Sequence, residues 1–444
     1  MPRSEDARGL ALEVLLAYQR RDAYLNALLF SALSRSALDR RDRALVTELV
    51  QGTVRMLRTA DWALEPFSNR DLSSLDPEVL WILRLSAYQL LFTDVPDYAA
   101  VDSGATLARS HSGAGAVAYV NAVLRALAAE KGSLTWPDPE RDPAGYLEIR
   151  YSHPRWLAEV WLRELGYEKA ESVCVADNSA RPVSVRCNLS RAPRDALAKS
   201  ILSGGGSAVL SEMVPEGLLL KGTGPVTGLE EFERGLLSVQ DQGAILVGHA
   251  VAPEPGMSVL DVCAAPGGKA NHLAELMHNE GTVLALDVNA SRLALVDESA
   301  ARLGNRIVAT RVADATRASE SISDGFDRVL VDAPCSGLGT LSSKPDVRWR
   351  KSEADLAELA RLQAAILTEA AKMVAPGGLM VYSTCTISKA ENEGVVERFL
   401  QGDRGFEPAG PGALERVAGG ADFIQLFPDT HGCDGTFIAR LRRG

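Results

Sequence analysis

The stretch Val259-Leu260-Asp261-Val262-Cys263-Ala264-Ala265-Pro266-Gly267-Gly268-Lys269 leaves few folds open to this chain. An apolar run ending in an acid is broken by Pro266-Gly267-Gly268, and helical spacing resumes from Ala270 to Met277. A buried parallel strand needs such a run. Two adjacent glycines let the backbone approach a ligand closely at the positive end of the following helix. At the C-terminal end of a strand in an α/β sheet, this is where nucleotide-like ligands bind. The plain alternative is a tight turn without a ligand, because glycine turns are common punctuation.

The C-terminal half favours a doubly wound sheet, since from about residue 236 strands and helices alternate. Ser238 to Gly243 is expected to open a helix. Strands are expected over Gly281–Asp287, near Asp314, over Asp327–Asp332, over Leu379–Ser383 and in two late segments, Phe423–Phe427 and Gly435–Leu441. Helices are expected at Ser291–Leu303 and Glu353–Val374. Four apolar strands therefore end at or beside Asp261, Asp287, Asp314 and Asp332, and such ends converge on one crevice. Any one of these acids has an ordinary explanation as a helix cap; four in register do not share one easily. Asp287 lies about 20 residues beyond the turn, the spacing of an acid that accepts hydrogen bonds from ribose hydroxyls.

The turn is not a phosphate loop. In GxxxxGK[ST], Cys263 would occupy the first glycine position and Ala270 follows Lys269, and GxGxxG fails as well. Handling adenosine without a pyrophosphate cradle points toward S-adenosylmethionine. Cys335, in Asp332-Ala333-Pro334-Cys335-Ser336-Gly337, and Cys385, in Ser383-Thr384-Cys385-Thr386, each sit just past a strand of the same sheet. A lone cysteine is usually a small buried apolar residue. Two at strand-end turns beside acids are candidate reactive thiols. Lys269 is either a surface helix lysine or part of the turn's chemistry.

Upstream the chain changes character. A length of 444 residues implies two or three domains. Residues 1–132 show i, i+3, i+4 apolar spacing with no strand signal, and read as a helical bundle. Asp76-Pro77-Glu78 is a good helix start. The bundle's first lysine is Lys131; its permanent positive charge is otherwise arginine, with Arg35, Arg40, Arg41 and Arg43 clustered around Asp39 and Asp42. That cluster suits phosphate recognition or a solvated helix-capping loop. Residues 133–150, with Pro137, Pro139, Pro143 and Gly145, read as a linker. Residues 151–235 read as a small α+β subdomain: a helix opening at Tyr151 and running to Leu165, a strand at Val183–Asn188 and a helix at Arg194–Ser203. It is expected to pack on the C-terminal domain as a substrate-guiding element. Its Arg181, Arg186, Arg191 and Arg194 suit phosphates or are scattered surface charge. Residues 236–444 complete the chain. Pro345-Asp346-Val347-Arg348-Trp349-Arg350 either suits backbone contact and base stacking on a nucleic acid or surrounds a core tryptophan.

A net charge of −11 argues against indiscriminate polyanion binding, though not against a local basic groove. Six cysteines without a C-x-x-C pair argue against a disulfide scaffold and a zinc site, so no metal is expected. The charged start Met1–Arg8 lacks a signal-peptide core, no apolar run approaches the roughly 20 residues of a membrane span, and a reducing cytoplasm is expected.

The front resembles the NusB-like RNA-binding fold, on Ala7–Leu15, Asp42–Arg55, Leu85–Leu91 and Tyr119–Arg125. Residues 236–444 resemble the RNA (cytosine-C5)-methyltransferases, on Asp261–Lys269, Asp287, Asp314, Asp332–Gly337, Tyr382–Cys385 and Glu391-Asn392-Glu393, and within them the RsmB (Sun/Fmu) subfamily. The resemblance covers nearly the whole chain. It implies a multidomain fold: an all-α NusB-like bundle, a small α+β subdomain and a Rossmann-like methyltransferase domain. It implies S-adenosyl-L-methionine as cofactor, small-subunit ribosomal RNA as substrate, and a monomer. It assigns the nucleophile to Cys385, release of the product to Cys335, and the cytosine edge to Asp332. Cofactor contacts are expected at Cys263, Ala264, Ala265, Pro266, Gly267, Gly268, Lys269, Asp287, Arg292, Asp314 and Asp332. The sequence has Ala270-Asn271 where the family often carries two threonines. Spacing alone does not choose between the two cysteines. Transfer RNA methylation and a non-catalytic NusB-type factor are the other readings.

Overall fold

The computed structural model describes residues 6–322, 325–402 and 405–444. Of the charged N-terminal stretch, Met1–Glu5 lie outside them. The chain forms two compact units, one of Met1–Ser179 with Leu341–Arg350, the other of Ala180–Thr340 with Lys351–Gly444.

The first unit is helical: α1 (Ala7–Arg20), α2 (Leu25–Ser34), α3 (Arg40–Arg55), α4 (Leu57–Leu64), α5 (Pro77–Phe92), α6 (Asp97–His111), α7 (Ala114–Glu130), α8 (Pro143–Tyr151), α9 (Arg155–Leu165) and α10 (Tyr167–Asn178). The apolar positions read from the sequence form its core, with Leu12, Leu15, Leu49, Val50 and Leu85 fully buried. Three expectations are corrected. The stretch read as linker is helical from Pro143, because Asp142 caps the Gly145 N–H at 3.0 Å and proline suits the first turn. Tyr151 ends that helix rather than opening the next; Ser152, with φ +56°, turns the chain and α9 starts after Pro154. A further helix, α10, follows Gly166.

Leu341–Arg350 completes this unit. Asp346 accepts from the Leu25 N–H at 3.0 Å, and the Trp349 indole donates to the Val54 carbonyl at 2.8 Å. Arg348, fully buried, donates to the Ser152 carbonyl and to Asn178. Arg348 and Asp346 are engaged within this unit, and Trp349, partly buried, packs against the helical core, as the core-tryptophan reading expects.

The second unit begins with β1 (Val183–Cys187), α11 (Arg194–Ser203), β2 (Ser207–Leu210), β3 (Gly217–Lys221), α12 (Glu230–Glu233) and β4 (Leu237–Val239). These strands form an antiparallel sheet in the order β2-β3-β1-β4. The helix expected from Ser238 starts later, because Leu237–Val239 pairs with β1 and Asp241 caps the next helix. Then come α13 (Gln242–Val251), β5 (Ser258–Asp261), α14 (Gly268–Leu276), β6 (Thr282–Asp287), α15 (Ala290–Leu303), β7 (Val308–Val312), β8 (Phe326–Asp332), α16 (Glu353–Ala371), β9 (Val374–Thr384), α17 (Glu393–Gly402), β10 (Phe406–Pro408), α18 (Glu415–Ala418), β11 (Phe423–Gln425), α19 (Pro428–His431) and β12 (Phe437–Arg443). The sheet runs β10-β12-β9-β8-β5-β6-β7, with β11 on β12. The strands β9-β8-β5-β6-β7 are parallel, and β12 joins antiparallel.

Both faces of the parallel strands are buried. Leu260, Val329 and Met380 meet the side covered by α16 and α17, while Val259, Leu330 and Val381 meet the side of α13, α14 and α15. This is why the strands read as continuous apolar runs rather than alternating ones. From β5 the sheet extends through β6 and β7 on one side and through β8 and β9 on the other. The strand order therefore reverses between β5 and β8, and ligands bind at the carboxyl ends beside that switch. Asp261 and Asp332 stand there.

Candidate active site

The glycine turn holds its shape through its own backbone. The Ala264 N–H donates to the Leu286 carbonyl and the Gly267 N–H to the Ala264 carbonyl, both at 2.7 Å. Pro266 follows a cis peptide bond. Gly267 has φ +99°, and a Cβ there would lie 2.9 Å from the Val296 Cα. Arg292 donates to the Ala265 carbonyl at 2.7 Å, so its guanidinium braces the turn from α15.

Four acids were expected at the strand ends. Asp261 is fully buried, and no donor meets hydrogen-bond geometry with either of its oxygens. Burial pushes its carboxyl up to about 7 and the Asp332 charge adds to this, while Lys269 and the nearby Cys263 N–H pull it back. Asp332 is bound on both oxygens, by Lys269 Nζ at 2.7 Å and by Ser383 Oγ at 2.8 Å. Burial works against the Lys269 charge, but Asp332, Cys385 and Asp261 outweigh it and raise its pKa. Asp287 is nearly buried, accepts from the Asn289 N–H at 2.9 Å and lies 3.8 Å from Arg292. Asp314 does something more local: it accepts from the N–H and hydroxyl of Thr316 at 2.9 and 2.7 Å.

The two cysteines meet. Cys335 and Cys385 have their Sγ atoms 3.3 Å apart, and the Cys385 N–H points at the Cys335 sulfur at 3.4 Å. The contact with Cys385 and burial raise the Cys335 thiol well above its ordinary range. Burial and the neighbouring carboxylates also raise Cys263.

Below the thiols lies a polar network that sequence reading did not resolve into roles. Glu391 accepts from the Ser336 N–H at 2.8 Å and from Gln363 at 3.0 Å, which ties down the Cys335 turn. Asn392 accepts from the Thr384 hydroxyl at 2.6 Å and donates to the Thr386 carbonyl at 3.0 Å, bracketing Cys385 on both sides. The signal was present as Glu391-Asn392 a few residues past the strand, but only the fold brings that stretch back under the thiols.

Of the four subdomain arginines offered as phosphate contacts, each is engaged within the unit. Arg181 pairs with Asp434 at 2.7 Å, Arg186 with Glu275 at 2.8 Å, Arg191 reaches the carbonyls of Arg234 and Arg302, and Arg194 those of Ser211 and Val214.

Glu216, His249 and His272 form a cluster that sequence reading missed, with ligand-type atoms within 4.8 Å of one another. One Glu216 oxygen meets both imidazoles, at 2.9 Å for His249 Nε2 and 2.6 Å for His272 Nε2. Burial works against the Glu216 charge, yet these hydrogen bonds hold its carboxyl well below the usual range, and burial lowers His272 to about 4. The geometry suits hydrogen bonding better than a metal. A metal on His272 Nε2 would leave a proton on Nδ1, which is buried with no partner, whereas ligand histidines donate that proton to an acceptor.

A parallel sheet with a strand-order switch, a glycine turn beside a buried carboxylate and a thiol pair over an acid define a methyltransferase-type catalytic domain joined to a helical unit. Comparison with known proteins agrees. Residues 249–442 match the model of the 16S rRNA methyltransferase RsmB/F family, residues 5–129 the NusB family, and residues 153–227 the RsmF/B-like ferredoxin-like domain. The probable ribosomal RNA small subunit methyltransferase B of Bacillus subtilis (strain 168) is 37% identical, over 98% of both chains. Ribosomal RNA small subunit methyltransferase B of Pseudomonas putida is 33% identical, over 99% of this chain and 98% of its own. The crystal structure of PH0851 superposes with a TM-score of 0.84 at 27% identity, over 98% of this chain and 99% of that one. The chain belongs to the RsmB/F methyltransferase family.

Proposed function

We propose that this chain methylates C5 of a cytosine in 16S ribosomal RNA, with S-adenosyl-L-methionine as donor. The observation that carries the reading is the thiol pair, Cys335 and Cys385 at 3.3 Å, set beside the Lys269–Asp332 ion pair at the strand-order switch. The names borne by the family and by its relatives supply the RNA.

The residues present fit the donor. The glycine turn admits a close backbone approach, and Asp287, at the end of the neighbouring strand, suits ribose hydroxyls. Bound there, the donor supplies an electrophilic methyl group on a sulfonium. Cytosine C5 is a poor nucleophile on its own. The Cys385 thiolate adds at C6, forming an S–C6 bond and making C5 enamine-like, so that C5 takes the methyl group. Asp332, held between Lys269 and Ser383, engages the N3/N4 edge and favours addition. Cys335, acting as base, then takes the C5 proton; the C5–H electron pair re-forms the C5–C6 double bond as the S–C6 bond breaks and Cys385 leaves as its thiolate. Reaching C6 requires the base to be unstacked.

The test is Cys335→Ala incubated with 16S ribosomal RNA and S-adenosyl-L-methionine, then run on a denaturing gel. A persistent protein–RNA adduct that disappears in Cys335→Ala/Cys385→Ala is expected. An adduct of equal yield without Cys385 would remove it from the nucleophile's role.

A further inference from the structure

We infer that the four-stranded subdomain is part of the cofactor-binding apparatus, with Arg186 acting as the positioning residue that sets the glycine turn. The inference rests on the reading that this turn holds S-adenosyl-L-methionine.

Arg186 leaves β1 and is 1% exposed. Its Nε and Nη2 fork onto the Glu275 carboxylate at 3.0 and 2.8 Å. Its Nη1 donates to the Gly268 carbonyl at 2.8 Å and to Gln240. Four of the five guanidinium N–H bonds are thus used in one planar arrangement, which a lysine cannot reproduce. Gly268 and Glu275 are the two ends of one face of α14, with His272 between them at the i+4 position. Glu216, from the loop entering β3, holds His272 at 2.6 Å. The subdomain therefore grips α14 at three successive turns, and the first of these is the glycine turn itself.

Stability alone explains this poorly. A fully buried ion pair is weak evidence of net stabilisation, because desolvating two charges offsets their attraction. What the fork does supply is direction. Glu275 orients the guanidinium, and the remaining edge of the guanidinium fixes the Gly268 carbonyl. The first-turn N–H groups of a helix have no intrahelical partner and are the groups offered to a ligand, so fixing the Gly268 peptide fixes their aim. The arginine offered by sequence as a phosphate contact instead serves the methyl donor from behind.

The experiment compares the full-length wild type with Arg186→Met, Arg186→Met/Glu275→Leu and Arg186→Lys. It measures thermal stability, the affinity for S-adenosyl-L-homocysteine by calorimetry, and KM for S-adenosyl-L-methionine and for RNA alongside kcat. Arg186→Met strands a buried Glu275 charge and loses stability. The double variant removes that charge and regains it. Both are expected to bind S-adenosyl-L-homocysteine about tenfold more weakly, with KM for the donor raised about tenfold, kcat at saturation little changed and KM for RNA unmoved. Arg186→Lys keeps the charge paired and is expected to show the same KM shift in a folded protein, so the inference remains testable if the double variant does not fold. Wild-type affinity in a stable double variant or in Arg186→Lys, or a shift in KM for RNA in place of KM for the donor, overturns the inference. Failure of the wild type to bind the homocysteine product overturns the methyltransferase reading and this inference together.

Discussion

Asp261 is a fully buried carboxylate with nothing in hydrogen-bond geometry, and that has a measurable consequence. Its pKa in the folded protein is raised to about 7, whereas an unfolded aspartate titrates near 4. Between these values the folded state binds the proton more tightly than the unfolded state does. The stability Asp261 contributes is therefore present below about pH 4 and lost as pH rises to 7, an effect of roughly 4 kcal/mol at most. Asp261→Asn should flatten that part of the stability–pH curve, measured by urea unfolding without donor. A slope equal to wild type would rule out Asp261 as its source. At the same scale, both thiols and Asp332 were legible in the sequence, because each sits at a strand end marked by its own apolar run. That the thiols lie at 3.3 Å was not, since fifty residues separate them and spacing carries no distance.

Elements were legible wherever a pattern was local. The parallel strands, the long helices and the glycine turn announce themselves by apolar runs, helical spacing and chain breakers. Gly267 illustrates how tightly the turn is specified. Gly267→Ala forces a side chain into φ +99° and against the Val296 backbone at 2.9 Å, and should cost about 2 kcal/mol of stability together with donor affinity. Thermal unfolding and donor calorimetry check it; a variant with unchanged melting and unchanged affinity would show the turn to be slack. The elements that escaped are those whose identity depends on a partner. Leu237–Val239 is three residues long and is a strand only because β1 lies beside it. Residues 143–150 read as linker because Pro143 and Gly145 are turn formers elsewhere, yet behind a capping Asp142 they start a helix.

At the scale of the whole molecule, the segment Leu341–Arg350 is the feature no pattern announced. It leaves the catalytic fold just after the Cys335 turn and belongs to the helical unit. Trp349→Ala in the full-length chain removes packing against the helical core and the bond to the Val54 carbonyl, and should destabilise that unit by about 2 kcal/mol. Hydrogen exchange at α3 reads this directly. Unchanged protection there would mean that the segment rests on the unit without supporting it. Among the described residues no helix is long and apolar enough to cross a membrane.

The order of the helical and α/β parts, the parallel sheet and the chemistry available at each strand end follow from local pattern along the chain. These come from backbone periodicity, chain breakers and residue type, which act within a few positions of one another. Which groups meet depends on the folded packing: thiol with thiol, Lys269 with Asp332, Arg186 with Gly268, and Trp349 with Val54. Such pairings join residues 50 to 295 positions apart. They are set by how buried faces pack and by which polar groups must be satisfied once water is excluded.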